Sequence, residues 1–391
     1  MTQQPRHRLR KRVLGVVAAL ALFTPGVAHA QDSTSSLLTD PELRDLIQFS
    51  SQSPLSSGYN LHFTLSSLNA IGSSDLLPGS MSGIDPYYPR PTKEGIEKPE
   101  VIDRGAPDGA GIERWVVASP SMKRDVVVQI RKSPTGQPAP MLYLLDGIDA
   151  PEHTGMINPG RIQETLADEN VTLVMPTEAR ASMFYDWESY DENLGLSMWE
   201  TFMTKELAPL LEEEIPFNGK RGVGGISMGA GGALNLINRN PEMFDAAIGV
   251  SGCYSNSDPI GEQTQNAIVQ SRGGSVKNMV GEKGSPAWKA HDVAADVSNL
   301  TNKSIYLSSA NGSINAEDAE YYQYWNPKDI FVGIILEQGS YYCTKRLEQE
   351  LNDAGATDTE VIYDDHGGHN WKTFQPHLAL GWDHIKPALE S

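Results

Sequence analysis

One five-residue stretch, Gly225-Ile226-Ser227-Met228-Gly229, restricts the possible folds of this chain more than any other. Glycines two positions on either side of a serine let a strand turn sharply into a helix, because neither brings a Cβ into the bend. Val223 reads as the end of a buried strand, and residues 230–240 (AGGALNLINRN) read as a helix stopped by Pro241. Strand, tight turn and helix in that order present the Ser227 hydroxyl above a sheet. They also place the Met228 amide at a helix N-terminus, where it faces an anion. A Gly-rich turn without chemistry is the plain alternative for the five residues taken alone, and the flanking strand and helix weigh against it.

The remaining pattern supplies the sheet. Apolar runs at 141–145 (MLYLL), 171–175 (VTLVM), 246–250, 305–308 and 360–363 join the run into Ser227, with helical stretches between them. The clearest helices are 199–214, 230–240 and 341–352. Unbroken apolar strands are what a parallel sheet covered on both faces requires. Residues 115–118 and 125–130 read as an antiparallel hairpin at a sheet edge, with its turn at Ser119-Pro120-Ser121. The expected class is α/β, a mostly parallel central sheet with helices on both faces, occupying residues 111–391 as one domain.

Residues 1–30 read as an export signal. Arg6, Arg8, Arg10, Lys11 and Arg12 precede the apolar run 13–23, and Ala28-His29-Ala30 has the small-x-small form of a cleavage site. The apolar run is shorter than the ~20 residues a membrane span needs. Residues 31–110 form a Ser/Pro-rich extension and linker, with a capped helical turn at 40–49 and prolines at 86, 89, 91 and 99. The formal charge of −19 becomes about −24 once the five basic residues of the signal are removed. Such a chain has no electrostatic reason to seek nucleic acid or anionic lipid. Cys253 and Cys343 are either one disulfide of an exported protein or two buried small hydrophobes. No CxxC, HExxH or compact His/Cys cluster appears, so neither a metal nor another cofactor is expected.

A serine hydroxyl needs a base, and the base needs a third group to orient it. In this architecture the chain order is serine, acid, histidine. His369, in Gly367-Gly368-His369-Asn370-Trp371 after the last strand, is the favoured base, with His366 as runner-up. The generic place for the acid, soon after the strand ending near Ser309, points to Glu317 or Asp318 and favours Asp318. Glu337, in Ile334-Ile335-Leu336-Glu337, is a later candidate. The second oxyanion donor is expected after strand 141–145, where Gly147 permits close approach and the Ile148 amide can face Ser227.

Beyond the serine motif, several stretches together resemble a known family. They are Ser119-Pro120-Ser121-Met122 with Arg124-Asp125, Tyr143-Leu144-Leu145-Asp146-Gly147, Val174-Met175-Pro176, residues 184–187, Trp199-Glu200-Thr201-Phe202, Ala310-Asn311-Gly312 and His369-Asn370-Trp371. In this order, over residues 112–385, they are similar to the mycolyltransferases of the antigen 85 type, secreted enzymes of the α/β-hydrolase fold. The long N-terminal extension is more like the corynebacterial members. The resemblance implies Ser227 as nucleophile, His369 as base and Glu337, preceded by leucine as in the family, as acid, which moves the choice away from Asp318. It also implies the amides of Ile148 and Met228 as oxyanion donors. Asp149 stands where the family has an arginine that helps bind trehalose, which leaves that sugar contact open. Ser309 stands where it has a cysteine, and residues 163–170 lack the aromatic residues of its fibronectin-contact stretch.

The activity implied is transfer of a mycolyl or corynomycolyl group from trehalose monomycolate, through an acyl-enzyme on Ser227, to a second trehalose monomycolate or to arabinogalactan. Asp146 is the residue best placed for a sugar hydroxyl, and Trp371 is either a wall of the acyl or sugar channel or core packing. The protein is expected to act outside the membrane or at the cell envelope. The alternatives are a secreted carboxylesterase, a protein O-mycoloyltransferase and a non-catalytic carbohydrate-binding relative.

Overall fold

The structure, a computed structural model, describes residues 87–322 and 327–391. The export signal expected at 1–30, and the extension as far as residue 86 with its helix at 40–49, lie outside the described residues.

Nine strands form one sheet: β1 (Glu100–Arg104), β2 (Ile112–Ser119), β3 (Arg124–Arg131), β4 (Ala139–Leu145), β5 (Thr172–Pro176), β6 (Phe217–Ile226), β7 (Ala246–Val250), β8 (Ser304–Ala310) and β9 (Thr359–Asp364). Their order is β1-β2-β3-β5-β4-β6-β7-β8-β9. Pairing is antiparallel from β1 to β5 and parallel from β5 through β9. The hairpin read at 115–130 is present as β2 and β3, but it is not the edge. Within the stretch read as linker, β1 pairs with β2 and takes that place.

The period-2 alternation of the strands divides the core in two. In β4, Met141, Tyr143 and Leu145 enter one apolar cluster, and Leu142 and Leu144 enter the other. The first cluster takes in α1 (Met228–Arg239), α2 (Pro259–Gln270), α3 (Pro327–Asp353) and the helical stretch 199–214; the second takes in α4 (Trp371–Glu390). The stretch 199–214 is helical as expected, with a π-helical segment at Phe202–Leu207. Helix α3 begins far upstream of the expected residue 341. Its first half, from Ile330 to Ile335, is apolar on every side and almost wholly buried, so it shows no polar face to betray a helical period.

The two cysteines are joined by a disulfide, Cys253–Cys343, which ties the loop after β7 to α3.

Candidate active site

The turn at Ser227 is as tight as its sequence implies. A Cβ on Gly225 would lie 2.3 Å from the carbonyl of Gly229, and one on Gly229 would lie 2.0 Å from the carbonyl oxygen of Leu145. Both glycines are therefore dictated by close backbone approach. The strained conformation falls on the serine itself, at φ 54° and ψ −121°, directly before α1. Gly147 differs from the expectation. A Cβ there would meet Ser227 Cβ at 3.7 Å, an ordinary contact, so space does not demand glycine.

Three side chains from distant parts of the chain form one hydrogen-bonded line. Ser227 Oγ lies 2.7 Å from His369 Nε2, and His369 Nδ1 lies 2.7 Å from Glu337 Oε2. Glu337 is fully buried on α3. Its other oxygen accepts from Ser251 Oγ at 2.7 Å, Ser309 Oγ at 2.9 Å and the Ala310 amide at 2.8 Å. A buried carboxylate survives only with such a complement of donors. His369 is held from behind, with its amide donating to Gly333 of α3 at 3.1 Å and its ring edge-on to Phe374 at 5.0 Å.

The other candidates fall elsewhere. Asp318, which position alone favoured as the acid, is buried against Lys372 Nζ at 2.6 Å and His366 Nδ1 at 3.4 Å. The two runners-up thus meet each other and not His369. The side chain of Glu317 lies outside the described residues.

Ile148 and Met228 line the same cavity as Ser227, and among the described residues neither backbone amide donates to a protein acceptor. The Ile148 carbonyl accepts from the Ala181 amide at 2.8 Å, which steadies the loop. Asp146 is committed to local structure: it accepts from the Gly147 amide at 3.0 Å, Thr154 Oγ1 at 2.9 Å and the Gly155 amide at 2.6 Å. Burial holds its carboxyl above the usual carboxylate range, and these donors offset the rise only in part. Asp146 lines the cavity, but its first use is to shape the loop. Trp371 is both wall and packing. It lines the cavity, and its ring abuts Gly155 and Gly160, where a Cβ would come within 2.6 Å.

The cavity has a volume of about 380 Å³, and Ile148, Met183, Ile226, Ile268 and Leu336 give it apolar walls beside Ser227. An ester with a substantial acyl chain can lie there with its carbonyl at the serine. Sequence reasoning missed the residues that hold the reactive ones: Ser251 and Ser309 on Glu337, Thr154 on Asp146, and Arg272 on Asp149 at 2.9 Å. None of them sits in a recognisable motif.

Comparison with known proteins bears on the family and the fold. The mycobacterial protein named diacylglycerol acyltransferase/mycolyltransferase Ag85A, from Mycobacterium leprae (strain TN), is 28% identical over 293 residues, covering 72% of this chain and 83% of that protein. Ag85B of Mycolicibacterium smegmatis is 28% identical over 280 residues, covering 67% and 81%. Among solved structures, MPT51 (FbpC1) of Mycobacterium tuberculosis matches with a TM-score of 0.60 at 24% identity, covering 71% of this chain and 98% of that one. An S-formylglutathione hydrolase from Agrobacterium tumefaciens matches at 0.53 and 15%, covering 74% and 99%. The fold is that of the α/β-hydrolases. A family model described as putative esterase matches residues 119–384, a span that holds Ser227, Glu337 and His369, and the chain belongs to that family.

Proposed function

We propose that this protein is a serine-dependent acyltransferase that moves a mycolyl or corynomycolyl group from trehalose monomycolate to a second sugar hydroxyl. The observation that carries the reading is the line Ser227, His369, Glu337, closed by two 2.7 Å hydrogen bonds at the side of an apolar cavity. The mycolyltransferase names of its relatives supply the acyl group.

In the first half-reaction His369 Nε2 takes the Ser227 proton as Oγ attacks the ester carbonyl. The imidazolium is stabilised by Glu337, which accepts from Nδ1–H. Negative charge on the carbonyl oxygen is met by the amides of Ile148 and Met228. Collapse breaks the ester bond, and His369 gives its proton to the departing trehalose oxygen. In the second half-reaction an acceptor hydroxyl loses its proton to His369, attacks the acyl carbonyl and releases Ser227, which recovers the proton.

Incubation with trehalose monomycolate, followed by mass spectrometry, tests this. Trehalose dimycolate from the wild type but not from Ser227→Ala is the expected result. Release of the free fatty acid alone would replace transfer by hydrolysis, and no turnover with either acceptor would overturn the reading.

A further inference from the structure

Four residues other than glycine hold left-handed backbone in the loop after β5. Glu178 has φ 61°, Ala181 47°, Met183 55° and Phe184 56°. A Cβ meets a steric cost in that region, so such a run persists only where its surroundings fix it. The loop reaches the candidate site at two points. The Ala181 amide donates to the Ile148 carbonyl at 2.8 Å, on the residue whose own amide is the proposed oxyanion donor. Met183 lines the cavity, and its carbonyl packs so close to α1 that a Cβ on Gly232 would lie 2.8 Å from it.

On its other side the loop is gripped by residues 88–93, within the stretch read as linker. Tyr88 Oη donates to the Glu178 carbonyl at 2.9 Å. Arg90 Nη2 pairs with Glu178 Oε1, and Arg124 Nη1 reaches Glu178 Oε2 at 3.5 Å. The Glu178 side chain is only 10% exposed, so these charges are weakly screened. The gripping segment is itself anchored. The Lys93 amide donates to the Lys123 carbonyl at 2.6 Å, and a Cβ on Gly195 would meet Pro89 at 3.1 Å. A continuous path of contacts and chain runs from Tyr88 through Glu178 and Ala181 to Ile148. If Glu178 leaves the left-handed region, the chain after it turns, and the Ala181 amide leaves the Ile148 carbonyl. An oxyanion donor acts only within about 2.7–3.1 Å of the charge, so a small displacement of Ile148 costs rate and not substrate binding.

We propose that Tyr88 and Arg90 are positioning residues for acyl transfer: they hold the strained loop 178–184, which in turn sets the Ile148 amide. The inference rests on the serine reading above and needs no particular acyl group or acceptor.

Steady-state kinetics of the full chain on a nitrophenyl ester, together with the affinity of an aryl trifluoromethyl ketone, tests it. Ser227 Oγ adds to the ketone carbonyl, its proton passes to His369, and the hemiketal oxygen takes the negative charge at the donors. Tyr88→Phe with Arg90→Gln should lower kcat and ketone affinity together by about 10-fold, less than the loss of a donor outright, with KM unchanged. Arg90→Lys in place of Arg90→Gln, which keeps the ion pair, should restore part of both. Ala181→Gly supplies the decisive background, because glycine takes φ 47° without strain and the loop then needs less holding. The same two changes should cost less there. A role in stability alone predicts neither the ketone effect nor the dependence on Ala181. Tyr88→Phe alone removes one oxygen and keeps the packing, so it reads the same direction where the double variant fails to fold. Unchanged kcat and ketone affinity, a loss confined to KM, or an equal loss with and without Ala181→Gly overturns the proposal. A wild type that neither turns over the ester nor binds the ketone sinks the serine reading and the proposal with it. A wild type that does both, with the variants unchanged, sinks only the proposal.

Discussion

Glu337 receives four donors: His369 Nδ1 on one oxygen, and Ser251, Ser309 and the Ala310 amide on the other. Glu337→Gln replaces one of these acceptors with an NH₂ group that itself donates. Either the imidazole loses its orienting acceptor or three buried donors meet a fourth. We expect kcat for a nitrophenyl ester to fall on the order of 10³–10⁴-fold with the circular dichroism spectrum retained, as for the loss of an orienting carboxylate in a serine triad. Ser309→Ala removes one of the three supports and should cost only about 10-fold, since Ser251 and the Ala310 amide remain. A loss under Ser309→Ala as large as that under Glu337→Gln would mean that Ser309 does more than hold the carboxylate.

At the scale of elements, α3 carries Glu337, Ser340 and Cys343, and each is tied to the segment after β7. Glu337 accepts from Ser251 Oγ, Ser340 Oγ donates to the Ser251 carbonyl at 2.8 Å, and Cys343 is bonded to Cys253. The disulfide closes a loop of 90 positions, which corresponds to roughly 4.6 kcal/mol of loop-closure entropy. The variant with both cysteines changed to serine should lose stability on that order in urea titration, and its kcat should fall before the fold is lost, because α3 then places Glu337 less firmly. Unchanged activity up to the unfolding transition would uncouple the bridge from the site. The strand-to-helix turn makes a second prediction. Gly229→Ala forces a Cβ to within 2.0 Å of the Leu145 carbonyl and should give insoluble or strongly destabilised protein. Gly147→Ala, with 3.7 Å to the nearest atom, should fold with a stability within about 0.5 kcal/mol of the wild type.

For the molecule as a whole, stability should depend on pH through His291. Burial pushes its imidazole down to about 4 from an ordinary value of 6.5, while a hydrogen bond with the Ala287 carbonyl and a tilted ring contact with Tyr185 at 4.3 Å hold the ring in place. The unfolded chain therefore takes up the proton first. The stabilising contribution is complete above pH 6.5, is lost as the pH falls towards 4, and amounts to roughly 3 kcal/mol. Urea unfolding of the wild type and His291→Gln at pH 7 and pH 4.5 checks it, and the variant should show the smaller pH dependence.

What could be read in advance was local. Gly225 to Gly229 announced the turn because backbone sterics act within five residues, and the apolar runs announced the strands because a doubly covered sheet leaves no polar period. Asp318 illustrates the limit: position along the chain favoured it, yet it is paired with Lys372 and His366. Resemblance, and not spacing, pointed to Glu337. The upstream part of its helix, before residue 341, escaped notice because a segment buried on all sides has no amphipathic signature. Strand β1 was beyond a local reading, and the choice between a bridge and two buried thiols at Cys253 and Cys343 stayed open until the structure joined them. The sequence by itself determined the strand-turn-helix at Ser227 and the α/β class, since both follow from side-chain size and polarity between near neighbours. Only the tertiary structure decided which carboxylate meets His369 and which arginine meets Asp149. Those choices depend on hydrogen bonds between residues 32 and 123 positions apart, and a buried charge accepts whichever partner the packing brings to it.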